Sequence, residues 1–202
     1  MNIAKTIGCK DFPCVDVDHE CYMLPDMDID PERIFIIIIA ECAPEDPNDY
    51  FYAGNSALFE KTTVQAFNDA DVEVSSIKDI LKLGVYLTTA IKCRKKEYVI
   101  KANTIKECSK ILEKEISLFP NIKAFMLMGD AAIKSLNYIA KSVGEKRVIP
   151  AGSTYKIRGD TYYFKERKVF PSYLQAGPSF FIEKSKRRMI AEDISEALNL
   201  LP

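Results

Sequence analysis

The chain has 202 residues, 48% hydrophobic and 28% charged, the composition of a soluble globular protein with enough apolar material for a sizeable core. Its formal net charge of −1 argues against indiscriminate attraction to polyanions, and no apolar run approaches the length of a membrane span. The start MNIAKTIGCKDF lacks the apolar stretch of a secretory leader, so a cytoplasmic setting is expected, with the six cysteines not paired as disulfides.

Residues 1–31 carry Cys9, Cys14, Cys21, the lone histidine His19, Pro13, Pro25 and many aspartates, with no helical or strand periodicity. An irregular segment needs an anchor. Its thiols supply one by ligating a metal or cluster, and His19 brings zinc within the range of the available donors. The run 34–40 is unbroken and mostly β-branched, which predicts a strand buried on both faces. Glu41, Pro44, Glu45, Asp46 and Pro47 follow it, then Tyr50, Phe51, Tyr52 and Gly54. Ligands of open α/β sheets lie beyond the carboxyl ends of the strands, so these acids and rings form a candidate site for a flat, polar ring.

Positions 56–70 hold a weak helical pattern, and Ser75 or Ser76 caps a short helix that Gly84 ends. The β-branched stretch 85–91 is the second expected strand, with Lys92, Cys93 and Arg94 just past its end. Thr104 with Glu107 makes a capping box for a third helix, whose apolar face carries Ile105, Cys108, Ile111, Leu112 and Ile116, and Pro120 stops it. A buried strand over 124–128 leads through Gly129-Asp130 into a helix ending near Ala140. After a loop at 144–152, positions 155–157 and 162–164 are expected to pair as a hairpin across 158–161. The last strand ends at Phe170-Pro171-Ser172, and a final helix covers 179–200. Strands alternating with helices imply a mostly parallel sheet with helices on both faces. The basic clusters at 92–96 and 184–188 have the composition of solvated faces.

Taken in order, these stretches resemble the uracil-DNA glycosylase superfamily, most closely its iron–sulfur branch, family 4. Ala40-Glu41-Cys42-Ala43-Pro44 stands where that branch has a Gly-Glu-Ala-Pro-Gly-like loop, and Phe51-Tyr52-Ala53-Gly54 where it has a Pro-Phe-Val-Gly-like turn. Tyr86-Leu87-Thr88-Thr89-Ala90-Ile91-Lys92-Cys93 matches a strand of the form Tyr-Ile-Thr-Asn-x-x-Lys-Cys. Gly129-Asp130-Ala131-Ala132, Arg158-Gly159 and Phe170-Pro171-Ser172 extend the likeness over nearly the whole chain.

The resemblance implies a single domain over 1–202, a three-layer α/β/α sandwich around a central, mostly parallel four-stranded sheet, with the irregular Cys-rich segment 1–31 attached. It implies base-excision chemistry on DNA, single-stranded or duplex: hydrolysis of the N-glycosidic bond of a flipped damaged or deaminated base. By the same likeness Glu41 stabilises the sugar cation or orients water, with Asp46 as a second acid. Tyr52 stacks on the base, and Cys42, Ala43, Thr89 and Phe170 line its pocket. Ser172 touches a phosphate, Leu174 fills the vacated stack, and Lys92 and Arg94 face the DNA. A [4Fe–4S] cluster is implied on Cys93 and Cys108 together with Cys9 and Cys14, which rank ahead of Cys21; zinc is the alternative.

Two departures bear on the activity. Phe170 occupies the place of the family's motif histidine, and Thr89 that of the asparagine that reads the base edge. A hydroxyl cannot reproduce the side-by-side donor and acceptor of an amide. Altered specificity or a reduced rate is therefore expected. The alternative is a non-catalytic nucleic-acid or nucleobase binding module on the same fold, and a third reading is a redox or zinc protein centred on the N-terminal Cys/His segment.

Overall fold

The computed structural model describes residues 1–54 and 56–202. The N-terminal segment forms a one-turn helix α1 (Ile3–Thr6) and a two-residue strand β1 (Val17–Asp18). The elements then alternate: β2 (Ile36–Ala43), α2 (Leu58–Asp69), α3 (Ile77–Lys82), β3 (Val85–Lys95), α4 (Ala102–Ile116), β4 (Ala124–Met128), α5 (Asp130–Ser142), α6 (Thr154–Ile157), β5 (Tyr162–Phe164), β6 (Arg167–Ser172) and α7 (Lys184–Leu198). All six strands join one sheet in the order β1-β3-β2-β4-β6-β5. Its inner four strands are parallel, as expected, and the short edges β1 and β5 run antiparallel to their neighbours.

Period-2 alternation along β2 explains the two core layers. Ile36, Ile38 and Ala40 pack with Phe59 and Phe67 of α2, Ile77 and Ile80 of α3, and Ile190 and Ile194 of α7. Ile37 and Ile39 face the other way, onto Leu112 and Ile116 of α4 and Ala132, Ile133 and Leu136 of α5. The chain is thus an α/β/α sandwich with apolar side chains on both faces of the sheet. Segment 1–31 is tied down by side-chain burial: Ile3, Leu24 and Ile29 enter the α4–α5 layer.

Three local expectations are corrected. Thr104 is not an N-cap. It lies inside α4, which starts at Ala102, and donates its hydroxyl to the buried carboxylate of Asp16, which also accepts the Lys101 N–H at 2.7 Å. The helix start is thus capped from far up the chain, which no local motif reveals. The expected hairpin across 158–161 does not form either, because Thr154–Ile157 is a helical turn and β5 pairs with β6 instead. Lys165 and Glu166 make that turn, both with positive φ, without the glycine or asparagine that normally signals it. Finally, a 3-10 turn, Pro178–Phe181, precedes α7, so the last helix starts later than its sequence pattern suggests.

Lys92, expected to face DNA, is entirely buried with Glu115 of α4. Its ammonium donates to Glu115, to Thr88 Oγ1 at 2.7 Å and to the Thr89 carbonyl at 2.6 Å, so all three of its protons are placed. Glu115 also accepts from Tyr86 and Thr88 hydroxyls at 2.6 and 2.8 Å. Breaking such a pair strands a charge, whereas replacing both partners removes the problem. Lys92→Met or Glu115→Leu alone should each lower urea-unfolding stability by roughly 3–5 kcal/mol, and the double variant should recover most of that loss. Additive losses in the double variant would show that the two charges do not stabilise one another.

Candidate functional site

Strand β2 delivers Glu41 to the carboxyl end of the sheet, next to the junction of β4 and α5. One carboxylate oxygen accepts the Ala131 N–H at 3.2 Å, in the first turn of α5, where the helix dipole favours a negative charge. Gly129 makes this approach possible. It holds φ +103 and ψ 174, a conformation open essentially only to glycine, and a Cβ there would lie 2.7 Å from Glu41. Glu41 and Gly129 line a cavity of about 170 Å3 together with Tyr173 and Leu174 after β6 and Phe180 and Arg187 around the start of α7. The acid-bearing end of β2 and the segment following Phe170-Pro171-Ser172 therefore meet in one cleft.

Arg187 builds the far wall. Its guanidinium chelates Asp69 of α2 at 2.8 and 2.9 Å and stacks over the Phe180 ring at 5.0 Å. Lys186 lies 5.3 Å over the Tyr173 ring and pairs with Glu183 at 2.5 Å. These wall residues were hidden in a basic cluster that looks like an ordinary solvated face. The sequence signal that could have found them is the Phe180-Phe181 pair ahead of it, unusual beside so many charges.

Of the expected site residues, only Glu41 and Leu174 line this cleft. Asp46 is exposed and caps the turn Pro47–Asp49 by accepting the Asn48 N–H at 2.9 Å. Tyr52 lies at the outer edge of β3, its hydroxyl donating to the Leu87 carbonyl at 2.8 Å and accepting the Leu87 N–H at 3.2 Å. Phe170 and Ala43 are core residues on the α2–α7 side of the sheet. Thr89 is fully buried, its hydroxyl without a partner in the protein. Cys42 packs toward the other cysteines, and burial pushes its thiol up to about 11.

Two further residues expected at a DNA surface do other work. Ser172 is completely buried and donates to Asp193 of α7, so it presents nothing to a phosphate. Asp193 is held on its other side by Arg158 at 2.7 Å, which fastens α6 to α7. Burial drives the Asp193 carboxyl upward, against the opposing pull of Arg158 and Ser172. Arg94 pairs with Asp18 and donates to the Glu45 carbonyl at 3.2 Å, closing β1 onto β3 and the loop after β2.

The cysteines divide into two groups. Cys14, Cys93 and Cys108 share one apolar cluster with Val17, Ile91, Ile105 and Ala131, and Cys9 joins Cys14 and Cys108 along a neighbouring groove. Burial pushes the Cys93 thiol up to about 12, with further upward pressure from Cys108, Cys14 and Cys9. Cys21 stands apart, its thiol 3.8 Å from an Asp18 oxygen, and His19 packs its ring 5.0 Å from that of Phe12. Among the described residues, no three His, Cys, Asp or Glu side chains close around a point as a single ion requires. Cys9, Cys14, Cys93 and Cys108 are the all-thiol donor set in this region, the ligand type an iron–sulfur cluster takes.

Residues 27–194 match the family described as the Uracil DNA glycosylase superfamily, and the chain belongs to that superfamily. The match covers the sheet from β2 to β6, both helical layers and the cleft just described. No curated protein matches the chain. Among the described residues, no helix is long and apolar enough to cross a membrane.

The Glu41–Gly129 contact is directly testable. Gly129→Ala should cost about 1–3 kcal/mol in urea unfolding from its backbone conformation, with an added cost from the clash with Glu41. Combining it with Glu41→Ala should remove that added cost, so the two losses add to more than the double variant shows. Simple additivity would mean that Glu41 does not press on this junction.

Proposed function

We propose that the protein is a DNA glycosylase of the iron–sulfur branch, hydrolysing the N-glycosidic bond of a deaminated base everted from DNA. One observation carries this reading: Glu41, braced by Gly129 and the start of α5, shares a single cleft with Leu174. Bond breaking leaves positive charge on the sugar and negative charge on the departing base, and a fixed carboxylate stabilises the former. Glu41 is the acid for that role, since Asp46 is engaged at a turn outside the cleft. Leu174 is half-buried at the lip, the place from which an apolar side chain can fill the gap left by an extruded base. Lys184 and Arg188, exposed on α7 beside the wall residue Arg187, would meet the phosphates.

Cys9, Cys14, Cys93 and Cys108 would hold a [4Fe–4S] cluster, which fastens the N-terminal segment to β3 and α4. When bound, such a cluster would supply structural cross-linking and a redox capacity, and these four thiolates would hold it.

A second reading, a non-catalytic module that holds an everted base, is favoured by the Phe170-Pro171-Ser172 corner. Phe170 cannot donate a proton or hydrogen bond to the departing base, and Ser172 is sealed against Asp193. One assay separates the two. Anaerobically purified protein is incubated with duplexes carrying uracil, hypoxanthine, xanthine or mismatched thymine, and alkali-labile strand breaks are counted. Cleavage at one of these bases is expected, with Glu41→Gln slowing it by on the order of 10²–10³. Tight binding to a modified duplex without cleavage selects the second reading, and neither binding nor cleavage overturns both.

Iron and sulfide analysis tests the cluster. Cys9→Ser, Cys14→Ser, Cys93→Ser and Cys108→Ser should each lose iron and visible colour, while Cys21→Ser should keep both. Colourless protein with stoichiometric zinc would replace the iron–sulfur assignment.

A further inference from the structure

The α4–α5 layer carries a groove of about 520 Å3, against about 170 Å3 for the cavity beside Glu41. The two share no residue. The Glu41 cavity takes its far wall from α7, whereas Ala102 at the start of α4 and Tyr138 of α5 give this groove an apolar floor. Lys134 and Lys141 stand about one turn to either side of Tyr138, and Glu145 and Arg147 close the groove from the loop after α5. Lys134 already pairs with Asp130 at 2.5 Å. Among the described residues, Lys141 and Arg147 have no acidic partner.

Local bonding fixes this shape before anything binds. The amide oxygen of Asn137, which also lines the groove, accepts the Val148 and Ile149 N–H groups at 2.9 and 3.0 Å. Its amide nitrogen donates to the Ile149 carbonyl at 3.0 Å, and the Arg147 Nε–H joins it there at 2.8 Å. The wall that carries Arg147 is thereby stapled to α5, so little ordering is left for a partner to impose. With Asn137 spent on the loop, the groove offers area and charge rather than the convergent polar groups that orient a small molecule. The chain leading into Ala102 adds to that area. Tyr98 and Val99 are 91% and 69% exposed, while Ile100 turns in and packs, as Tyr138 does, against the cysteine cluster. Apolar surface bordered by free cations marks a place where another chain sits.

We propose that this groove docks an acidic segment of a partner protein, with an apolar anchor seated between Ala102 and Tyr138 and carboxylates on Lys141 and Arg147. Charge complementarity selects the occupant. A nucleic-acid strand carries a phosphate on every nucleotide and calls for a longer row of cations over a less apolar floor. A short peptide with a few acids around one aromatic or aliphatic residue matches two unpaired cations flanking an apolar trough. The anchor then supplies most of the affinity, and the rim charges supply selection and speed of encounter. This inference is independent of the glycosylase reading, since the groove and the Glu41 cleft have no residue in common.

The test selects peptides from a displayed random library on the full-length protein, with counter-selection on a Lys141→Glu, Arg147→Glu double variant. The enriched peptides should carry acids around an aromatic or aliphatic residue. The best of them is synthesised with a fluorescent label, beside a version whose acids are replaced by amides, and binding is followed by anisotropy. Lys141→Glu, Arg147→Glu and Ala102→Gln, which fills the floor, should each raise Kd by on the order of 10-fold. Lys61→Glu, an equal charge change on exposed α2, should leave it unaltered. The amide version should bind weakly, and added salt should weaken the acidic one. All these positions are exposed, and Lys141→Gln and Arg147→Gln repeat the test should a reversed charge disturb folding. Peptides without acids, no enrichment at all, or binding that ignores the three groove variants would each overturn the proposal. So would a single-stranded oligonucleotide that displaces the peptide and binds more tightly, or a dimer of this chain that Arg147→Glu dissolves. Loss of base cleavage in the intact protein would leave this inference standing, because its readout is peptide binding alone.

Discussion

Two opposite charges sealed between β3 and α4 set the geometry on which the rest depends. Lys92 and Glu115 are both wholly removed from solvent, and each is saturated with partners from β3 or α4. A desolvated pair of this kind contributes modest net stability compared with a well-packed apolar pair, but it tolerates little misplacement. It therefore fixes the register of α4 on the sheet. Cys93 follows Lys92 directly, and Cys108 lies on the same helix as Glu115. The spacing of the two mid-chain thiols is in this way dictated by an ion pair rather than by the thiols themselves. Asp16 completes the arrangement by capping α4 from the segment that carries Cys9 and Cys14.

A second constraint operates at the other end of the sheet. Glu41, Gly129 and the start of α5 form a joint in which a carboxylate occupies the room where a side chain would otherwise be. Across the cleft, Ser172, Asp193 and Arg158 are locked together beneath the surface. The motif position Ser172, at the end of the C-terminal strand, is thus architectural.

The fold was largely legible because its main signals are local. The unbroken apolar runs of β2, β3 and β4 and the Gly-Asp junction before α5 need no distant partner to be recognised, and the strand–helix alternation gives the layering. What escaped depends on residues far apart in sequence. Lys92 and Ser172 look like surface groups until Glu115 and Asp193 are placed beside them. The N-cap of α4 comes from Asp16, many residues upstream, while Thr104 and Glu107 imitate a capping box at the wrong place. The Lys165–Glu166 turn carries no glycine to announce it. In the site, Glu41 could be singled out because it ends a buried strand, and Leu174 through likeness to a family motif.

The outer margin of β3 has a consequence of its own. Strand β1 covers only its last residues, at Arg94 and Lys95, and the rest would present free N–H and C=O groups to any extended peptide. The Tyr52 hydroxyl satisfies both groups of Leu87, and the Met23 N–H takes the Lys92 carbonyl at 2.7 Å. One phenol and one amide stand in for a missing strand. The aromatic turn after β2 therefore closes backbone groups along the margin of β3 that no strand of the sheet pairs with.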